Sequence, residues 1–265
     1  MADDQKRQDP SDMPGRDSDG NVSSLFEQKK DRAGLRRGIY LLPNLITTGA
    51  LFSGFYAIIS AMSGSLQQAA IAIVVAGFLD ALDGRIARMT NTQSEFGVQY
   101  DSLSDMVAFG VAPAVLMFSW VLSDLGKIGW MVAFLYMACA ALRLARFNTK
   151  PDSLVFFGLA SPAAAGTIAT TVWVWSEYMI TPVNFELGVT LAIVTALVAL
   201  LMVSSIRYYS PKQLNMKEGV PYPYMLGIVA LFALVFANPP VVLLVIAICY
   251  ICSGPIQGLL RRQSH

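Results

Sequence analysis

Four aspartates, Asp80, Asp83, Asp101 and Asp105, lie within a 26-residue stretch that falls within or beside two long apolar segments. The first two are three residues apart and the last two are four residues apart, so each pair shares one face and one turn of a helix. An ionisable side chain at membrane depth costs about 3 kcal/mol even on permissive insertion scales, which makes a functional role its default interpretation. A short connection between the two segments would let both pairs converge.

Carboxylates brought together in this way indicate a site for hard divalent cations. Four such groups repel one another and would not all stay ionised without cations nearby. The single histidine, His265, is the last residue, and an oxygen-only donor set favours magnesium, manganese or calcium over zinc or copper. Two divalent cations would roughly neutralise the four charges, and a metal pair about 4 Å apart is the usual clamp for displacement at phosphorus. The residues therefore predict metal-assisted phosphoryl-type transfer.

A cation or proton transporter is the alternative from a different functional class, because acidic residues inside a helical bundle are also typical of ion pathways. The four acids cluster at one end of their segments and do not trace a route across the membrane. Inverted internal repeats, which are common in transporters, are not evident in the sequence. The enzyme is therefore the favoured interpretation.

The neighbours of the aspartates suit a phosphate-bearing substrate. Gly84 follows Asp83 directly and leaves room for a ligand to approach the backbone, and Arg88 lies one turn further on, where it can pair with a phosphate oxygen. Gly97 lies one turn before Asp101 and can serve in the same way. Each of these residues also has a structural explanation, since glycines in membrane helices usually permit helix packing and an arginine at the end of a span usually determines topology. The four aspartates nearby favour contact with the substrate.

The composition places these residues in a membrane protein. Hydrophobic residues make up 55% of the chain and charged residues 14%, against about 25% charged in soluble domains, and the mean hydropathy is +0.53. Residues 1–37 hold 16 of the 37 charged residues. A net charge of +1 and a pI near 7.7 give no basic stripe of the kind that nucleic-acid binding requires, so nucleic-acid partners are excluded.

Eight apolar runs are long enough to cross about 30 Å of hydrocarbon and lack the alternation of barrel strands, which predicts an all-α polytopic helical bundle. The predicted spans are 41–62, 66–88, 98–122, 128–148, 160–180, 185–206, 222–238 and 240–259. Threading the chain with its N-terminus in the cytoplasm places 18 of the 19 cations on that side and only Lys127 outside. We therefore expect an inner-membrane protein with both termini and the aspartates at the cytoplasmic side.

The remaining segments divide the chain into four predicted parts. Residues 1–22 have the composition of a disordered tail. Residues 23–40 form a basic amphipathic pattern that predicts an interfacial helix on an anionic leaflet, with a charged linker as the alternative. Residues 41–206 contain the aspartates, and residues 207–265 carry two further spans that either extend the bundle or contribute to a homodimer contact.

The stretch from Asp80 to Asp105 reads D-x-x-D-G-x-x-A-R, eight residues, then G-x-x-x-D-x-x-x-D. This pattern resembles the signature of the CDP-alcohol phosphatidyltransferases at every fixed position. The resemblance implies a six-helix catalytic core, here residues 41–206, which moves a phosphatidyl group from a CDP-linked lipid to an alcohol and releases CMP. The bilayer is then both the solvent of the protein and the source of its lipid substrate.

The resemblance also implies a role for individual residues. Asp80, Asp83 and Asp101 would hold two divalent cations, magnesium or manganese, and Asp105 would contact one of them while acting as the general base. The CDP-lipid would be contacted by Asn44, Thr47, Thr48, Gly84, Ala87, Arg88, Ser94 and Gly97. For Asn44, which follows Pro43, helix capping is the structural alternative.

The acceptor alcohol is suggested by a second resemblance, to the integral-membrane phosphatidylserine synthases of this family. It is carried by YLLPNLITTGALFSGFYAI, DSLSDMVAFGVAPAVL, ALRLARFN and GLASPAAAG. It implies CDP-diacylglycerol and L-serine as substrates, with glycerol 3-phosphate, an inositol phosphate or choline as alternative acceptors. Arg143 and Arg146 are then candidates for a serine carboxylate or a lipid phosphate, although topology anchoring explains them nearly as well, and Asn148 and Ser161 are weaker candidates.

Overall fold

The computed structural model describes residues 42–90, 92, 94–149, 156–179, 183–208 and 222–263. The predicted tail at 1–22 and the predicted amphipathic helix at 23–40 lie outside the described residues. The helices are α1 Leu42–Met62, α2 Leu66–Met89, α3 Glu95–Asp105, a π-helix Met106–Val111, α4 Ala112–Trp120, a 3₁₀ helix Leu122–Leu125, α5 Lys127–Thr149, α6 Ser161–Tyr178, α7 Phe185–Val203, α8 Tyr222–Ala237 and α9 Pro239–Gln263.

These helices confirm the predicted all-α bundle, and their ends agree with the predicted spans to within about one helical turn. Five helical stretches are long and apolar enough to cross a membrane: Leu42–Met62, Glu95–Trp120, Lys127–Thr149, Phe185–Val203 and Pro239–Ile256. The protein is therefore a polytopic membrane protein by length and composition. The count of eight spans and the orientation of the termini stay predictions.

Small side chains form most of the bundle core. The buried residues include Ala57 on α1, Ala69 and Ala76 on α2, and Ala164 and Ala169 on α6, and α6 packs on both α2 and α9. Helices that share a lipid solvent gain little from burying large apolar groups, so close backbone approach through small residues is the usual way in which they associate. Large apolar side chains instead cover the outside of the bundle, as a lipid-facing surface requires.

The contact between α1 and the π-helix requires a glycine. A Cβ placed on Gly54 would lie 2.8 Å from the Cα of Ala108, which is closer than real Cβ atoms approach. The π-helix begins directly after Asp105, and the amide of Ala112 donates to the carbonyl of Val107 five residues earlier. Short π-helical segments inside longer helices occur frequently at functional sites. Here the segment joins α3 and α4 into one continuous 26-residue rod that carries Asp101 and Asp105.

A second tight contact fixes the start of α6. Gly158 has φ +80°, and a Cβ there would lie 2.2 Å from the carbonyl oxygen of Met202 at the end of α7. Its amide donates to the carbonyl of Ile206 at 2.8 Å. Beside it, the two-residue strands β1 Phe156–Phe157 and β2 Arg207–Tyr208 pair antiparallel, and they are the only strands among the described residues. The N-terminus of α6 is thereby held against the end of α7.

Candidate active site

Carboxylates from α2 and α3 meet at one end of the bundle. Asp80, Asp101 and Asp105 each offer an oxygen, and the three oxygens lie within 4.8 Å of one another. The carboxyl groups of Asp80 and Asp105 are in direct hydrogen-bonding contact. All three side chains are partly buried. The helical spacing of the pairs and the short α2–α3 connection bring three of the four predicted aspartates together, and we call these three residues the metal cluster because they could hold a cation.

Asp83 lies one turn beyond Asp80 and is only 4% exposed. The hydroxyl of Thr47 on α1 donates to its Oδ2 at 2.6 Å, and the backbone carbonyl of Thr47 accepts from Ser104 on α3 at 3.2 Å. One residue of α1 therefore ties α2 to α3 directly below the metal cluster. Asp83 is close enough to interact electrostatically with all three cluster residues, but it is not one of the three that converge, so its role as a metal ligand stays a prediction.

Four of the predicted CDP contacts, Asn44, Thr48, Ser94 and Gly97, lie together where α1 meets the start of α3. Ser94 caps α3 by accepting from the amide of Gly97 at 3.0 Å. A Cβ on Gly97 would lie 3.1 Å from Ser94 Oγ and 3.3 Å from Asn44 Oδ1, so the glycine leaves room between two polar side chains. Thr48 lies one turn after Asn44, and its hydroxyl is 2.9 Å from that of Tyr100, a residue that the sequence analysis did not single out.

The other predicted CDP contacts occupy the last turns of α2. The nearest atom to a Cβ on Gly84 would be Arg88 Nη2 at 3.9 Å, so the guanidinium lies over the glycine while staying exposed. The carbonyl of Ala87 accepts from the amide of Thr92 at 3.1 Å where the helix ends. These residues thus follow the metal cluster along α2, on the side where α3 begins.

Arg143 is the predicted acceptor residue that faces the metal cluster. It lies on α5, where its Nη1 donates to Ser161 Oγ at 2.7 Å, and it interacts electrostatically with Asp105. Its Nε is buried and has no hydrogen-bond acceptor among the described residues. Arg146 is exposed. Asn148 uses its amide to donate to Ser102 on α3 at 3.0 Å, so it joins α5 to α3.

Comparison with known proteins identifies the family to which the chain belongs. Residues 40–190, more than half of the chain, match the CDP-alcohol phosphatidyltransferase family. The chain belongs to that family. The membership predicted from the Asp80 to Asp105 signature is confirmed, and with it the assignment as a transferase of phospholipid synthesis.

Curated relatives extend the similarity beyond the signature. The chain is 38% identical to the CDP-diacylglycerol–serine O-phosphatidyltransferase of Helicobacter pylori over 224 residues, 83% of this chain and 92% of the relative. It is 33% identical to the enzyme of the same name from Mycobacterium tuberculosis over 232 residues, 83% of this chain and 79% of the relative. It is 38% identical to the archaetidylserine synthase of Methanothermobacter thermautotrophicus over 170 residues, 63% of this chain and 69% of the relative.

A residue beyond the family match also reaches the site. Tyr250 lies on α9 and interacts electrostatically with Arg143. The sequence had suggested only a structural role for this helix. The only signal in the sequence is one polar hydroxyl in an apolar run. That signal is weak, because tyrosines near the ends of membrane helices are usually interfacial.

An apolar cavity of about 380 Å³ lies between α2, α6 and α9. Ile73 and Gly77 line it from α2, Gly166 from α6, and Ile246 and Tyr250 from α9. Gly77 lies one turn before the cluster residue on α2, so the cavity begins next to the metal cluster. The cavity could not be predicted from the sequence, because the residues that line it come from helices far apart in the chain.

Proposed function

We propose that the protein transfers the phosphatidyl group of CDP-diacylglycerol to the hydroxyl of L-serine and releases phosphatidylserine and CMP. The observation that carries this proposal is the convergence of three carboxylates beside a buried arginine in a member of the CDP-alcohol phosphatidyltransferase family. The names of the bacterial relatives supply the lipid donor and serine, and the name of the archaeal relative also specifies a serine lipid.

The metal cluster fits hard divalent cations. Its donors are carboxylate oxygens close enough to share an ion, and magnesium and manganese prefer such oxygen ligands. When bound by Asp80, Asp83, Asp101 and Asp105, two such cations supply charge neutralisation for the pyrophosphate and polarise the phosphorus under attack. Thr47 supports this site by fixing the Asp83 carboxylate with its 2.6 Å hydrogen bond.

Asp105 is the proposed general base. It accepts the proton of the serine hydroxyl, the serine oxygen forms a bond to the phosphorus on the lipid side, and the bond from that phosphorus to the CMP oxygen breaks. CMP leaves with the electron pair of that bond. Asp105 suits the task because its carboxyl group contacts Asp80 and interacts electrostatically with Arg143, beside which the acceptor would lie.

The nucleotide is proposed to lie between the end of α2 and the α1–α3 junction. Gly84 leaves the α2 backbone without a side chain, Gly97 lets Ser94 and Asn44 lie close to the start of α3, and Arg88 offers a cation for a phosphate oxygen. Asn44, Thr48 and Ser94 offer polar atoms at the junction. Ala87 contributes by keeping the α2 surface between these groups small.

The lipid must reach this polar site sideways from the bilayer, while serine and CMP exchange with water. The apolar cavity between α2, α6 and α9 suits one acyl chain, since it begins one turn from the metal cluster and is lined by apolar side chains. We place residues 41–206 as the catalytic core, 207–265 as two added helices, and the site at the cytoplasmic side of the inner membrane, in line with the positive-inside count.

Purified protein supplied with CDP-diacylglycerol and magnesium or manganese tests the proposal by CMP release across a panel of alcohols. L-serine is expected to be the best acceptor, Asp101→Asn is expected to abolish release, and Asp124→Asn, an exposed carboxylate on the 3₁₀ helix, is the matched control. Full turnover by Asp101→Asn would refute the metal site. If glycerol 3-phosphate, an inositol phosphate or choline outperformed serine, the acceptor would be wrong while the chemistry stood.

A further inference from the structure

Tyr250 approaches the acceptor side of the site from the last helix. It lines the apolar cavity together with Pro162 and Ala163 of α6, the two residues that directly follow Ser161. Ser161 is fully buried and accepts the hydrogen bond from Arg143. Tyr250 therefore lines the cavity beside the start of α6, next in sequence to Ser161, and its electrostatic interaction with Arg143 agrees with that position.

The arginine at this point has an unused hydrogen-bond donor. Nη1 of Arg143 is bonded to Ser161, whereas its buried Nε has no acceptor among the described residues. A buried donor without an acceptor carries a free-energy penalty, which a bound ligand with a suitable oxygen removes. A carboxylate fits because guanidinium and carboxylate form short charge-assisted hydrogen bonds.

We propose that Tyr250 is a specificity residue that, together with Arg143 and Ser161, binds the carboxylate of the acceptor amino acid. Arg143 donates from Nε to one carboxylate oxygen, Ser161 holds the guanidinium in place through Nη1, and the Tyr250 hydroxyl donates to the carboxylate. This inference rests on the proposed function, since it assumes that the acceptor alcohol carries a carboxylate.

The proposal gives α9 a functional role. The family match ends at residue 190, whereas α9 begins at Pro239, so Tyr250 is contributed by a helix outside the matched region. The metal cluster and the nucleotide contacts come from α1 to α3. A helix added to this core that places one hydroxyl beside Arg143 is a means of choosing among alcohols without altering the phosphatidyl-transfer chemistry.

Tyr250→Phe tests the proposal, because it removes one hydroxyl and keeps the ring. The KM for L-serine is expected to rise about tenfold, the loss that one hydrogen bond to a charged group gives, while kcat and the KM for CDP-diacylglycerol stay unchanged. With ethanolamine, an acceptor that lacks the carboxylate, the variant and the unaltered protein should give equal kcat/KM. A merely structural role would not separate the two acceptors.

Tyr178→Phe is the matched control on the same pair of helices. The Tyr178 hydroxyl at the end of α6 accepts from Asn238, directly before α9, at 2.7 Å, so this variant removes a hydroxyl that helps to dock α9 far from Arg143. Thermal unfolding of both variants reports any loss of docking. Equal effects of the two substitutions on serine KM, or an effect of Tyr250→Phe that is the same with ethanolamine, would overturn the proposal. An unaltered protein that does not use serine would instead refute the proposed function.

Discussion

The metal cluster and the acceptor end of the site, formed by Arg143, Ser161 and Tyr250, are built in different ways. The cluster is drawn from two consecutive helices and is supported from α1 by the Thr47 hydroxyl on Asp83. The acceptor end is drawn from α5, α6 and α9, and the buried Nε of Arg143 there has no acceptor within the described part of the chain. Under the proposed function, the first end serves the chemistry that every acceptor shares, whereas the second binds the acceptor itself.

Because of this difference, we expect substitutions at the two ends to change different kinetic parameters. A change in the metal cluster removes transition-state stabilisation and lowers kcat with any alcohol. A change at the acceptor end alters the affinity for one alcohol and appears in KM. Each of the following substitutions tests whether the two ends are separable in this way.

Asp80→Asn is expected to have the largest effect. Replacing one carboxylate of the cluster weakens cation binding, and the several kcal/mol that a bound metal contributes correspond to about a thousandfold in kcat at 1.4 kcal/mol per factor of ten. The loss should be the same with serine and with ethanolamine. Steady-state CMP release measures it, and manganese titration followed by electron paramagnetic resonance measures cation binding without turnover.

The control for Asp80→Asn is Glu186→Gln, which removes an exposed carboxylate in the first turn of α7. It should bind manganese and turn over as the unaltered protein does. If Asp80→Asn bound manganese with undiminished affinity, or if its loss were confined to serine, the cluster would not be the metal site and the comparison between the two ends would be wrong.

Arg143→Lys is expected to raise the KM for serine about a hundredfold with a small change in kcat. Lysine keeps the positive charge but lacks Nε and the bidentate geometry, so hydrogen bonds to a carboxylate worth about 1.5–3 kcal/mol each are lost. Arg85→Lys, at an exposed arginine on α2, is the matched control. A loss of kcat with serine and ethanolamine alike would mean that Arg143 serves the chemistry and that the acceptor end is not separate.

The convergence of the three cluster carboxylates could be predicted from the sequence because it follows from helical periodicity. Asp101 and Asp105 share a helix face at a spacing of four, and the cluster forms once α2 and α3 are adjacent along the chain and in space. The approximate ends of the eight helical segments were also predictable, since apolar runs mark them, but the Ser94 cap was missed: the third span was predicted to begin at residue 98, whereas α3 begins at Glu95. The π-helix after Asp105 has no comparable mark in the sequence.

The acceptor end could be predicted only in part. Arg143 stands out as a cation in an apolar span, but its partners Ser161 and Tyr250 depend on how α6 and α9 pack against each other. That packing is set by small residues and by the tight Gly158 contact with α7, whose effects are not local. The Tyr250 hydroxyl can be given a role only because Tyr250 interacts with Arg143, which is more than a hundred residues away in the chain.

The cavity between α2, α6 and α9 is lined by Gly77, one turn before Asp80, and by Tyr250 of the acceptor end, and Gly166→Leu tests its use with the smallest expected effect. Gly166 lines the cavity, and a Cβ there meets nothing within 4 Å, so the leucine side chain should enter the space without disturbing the helices. Displacing about two methylene groups of an acyl chain, at about 0.8 kcal/mol each, predicts about a tenfold lower kcat/KM for a long-chain CDP-diacylglycerol. A dihexanoyl substrate should be used equally by both proteins.

Gly227→Leu provides the matched control, because Gly227 is exposed on α8 and also has nothing within 4 Å of its Cβ position. It adds the same side chain to the membrane-facing surface without entering the cavity, so it should leave both lipid substrates unaffected. A Gly166→Leu loss that was equal for long and short chains, or that raised the KM for serine, would place the obstruction at the polar ends and not along the acyl chain. Because Tyr250 of the acceptor end also lines the cavity, only a loss that depends on chain length assigns the cavity to the lipid.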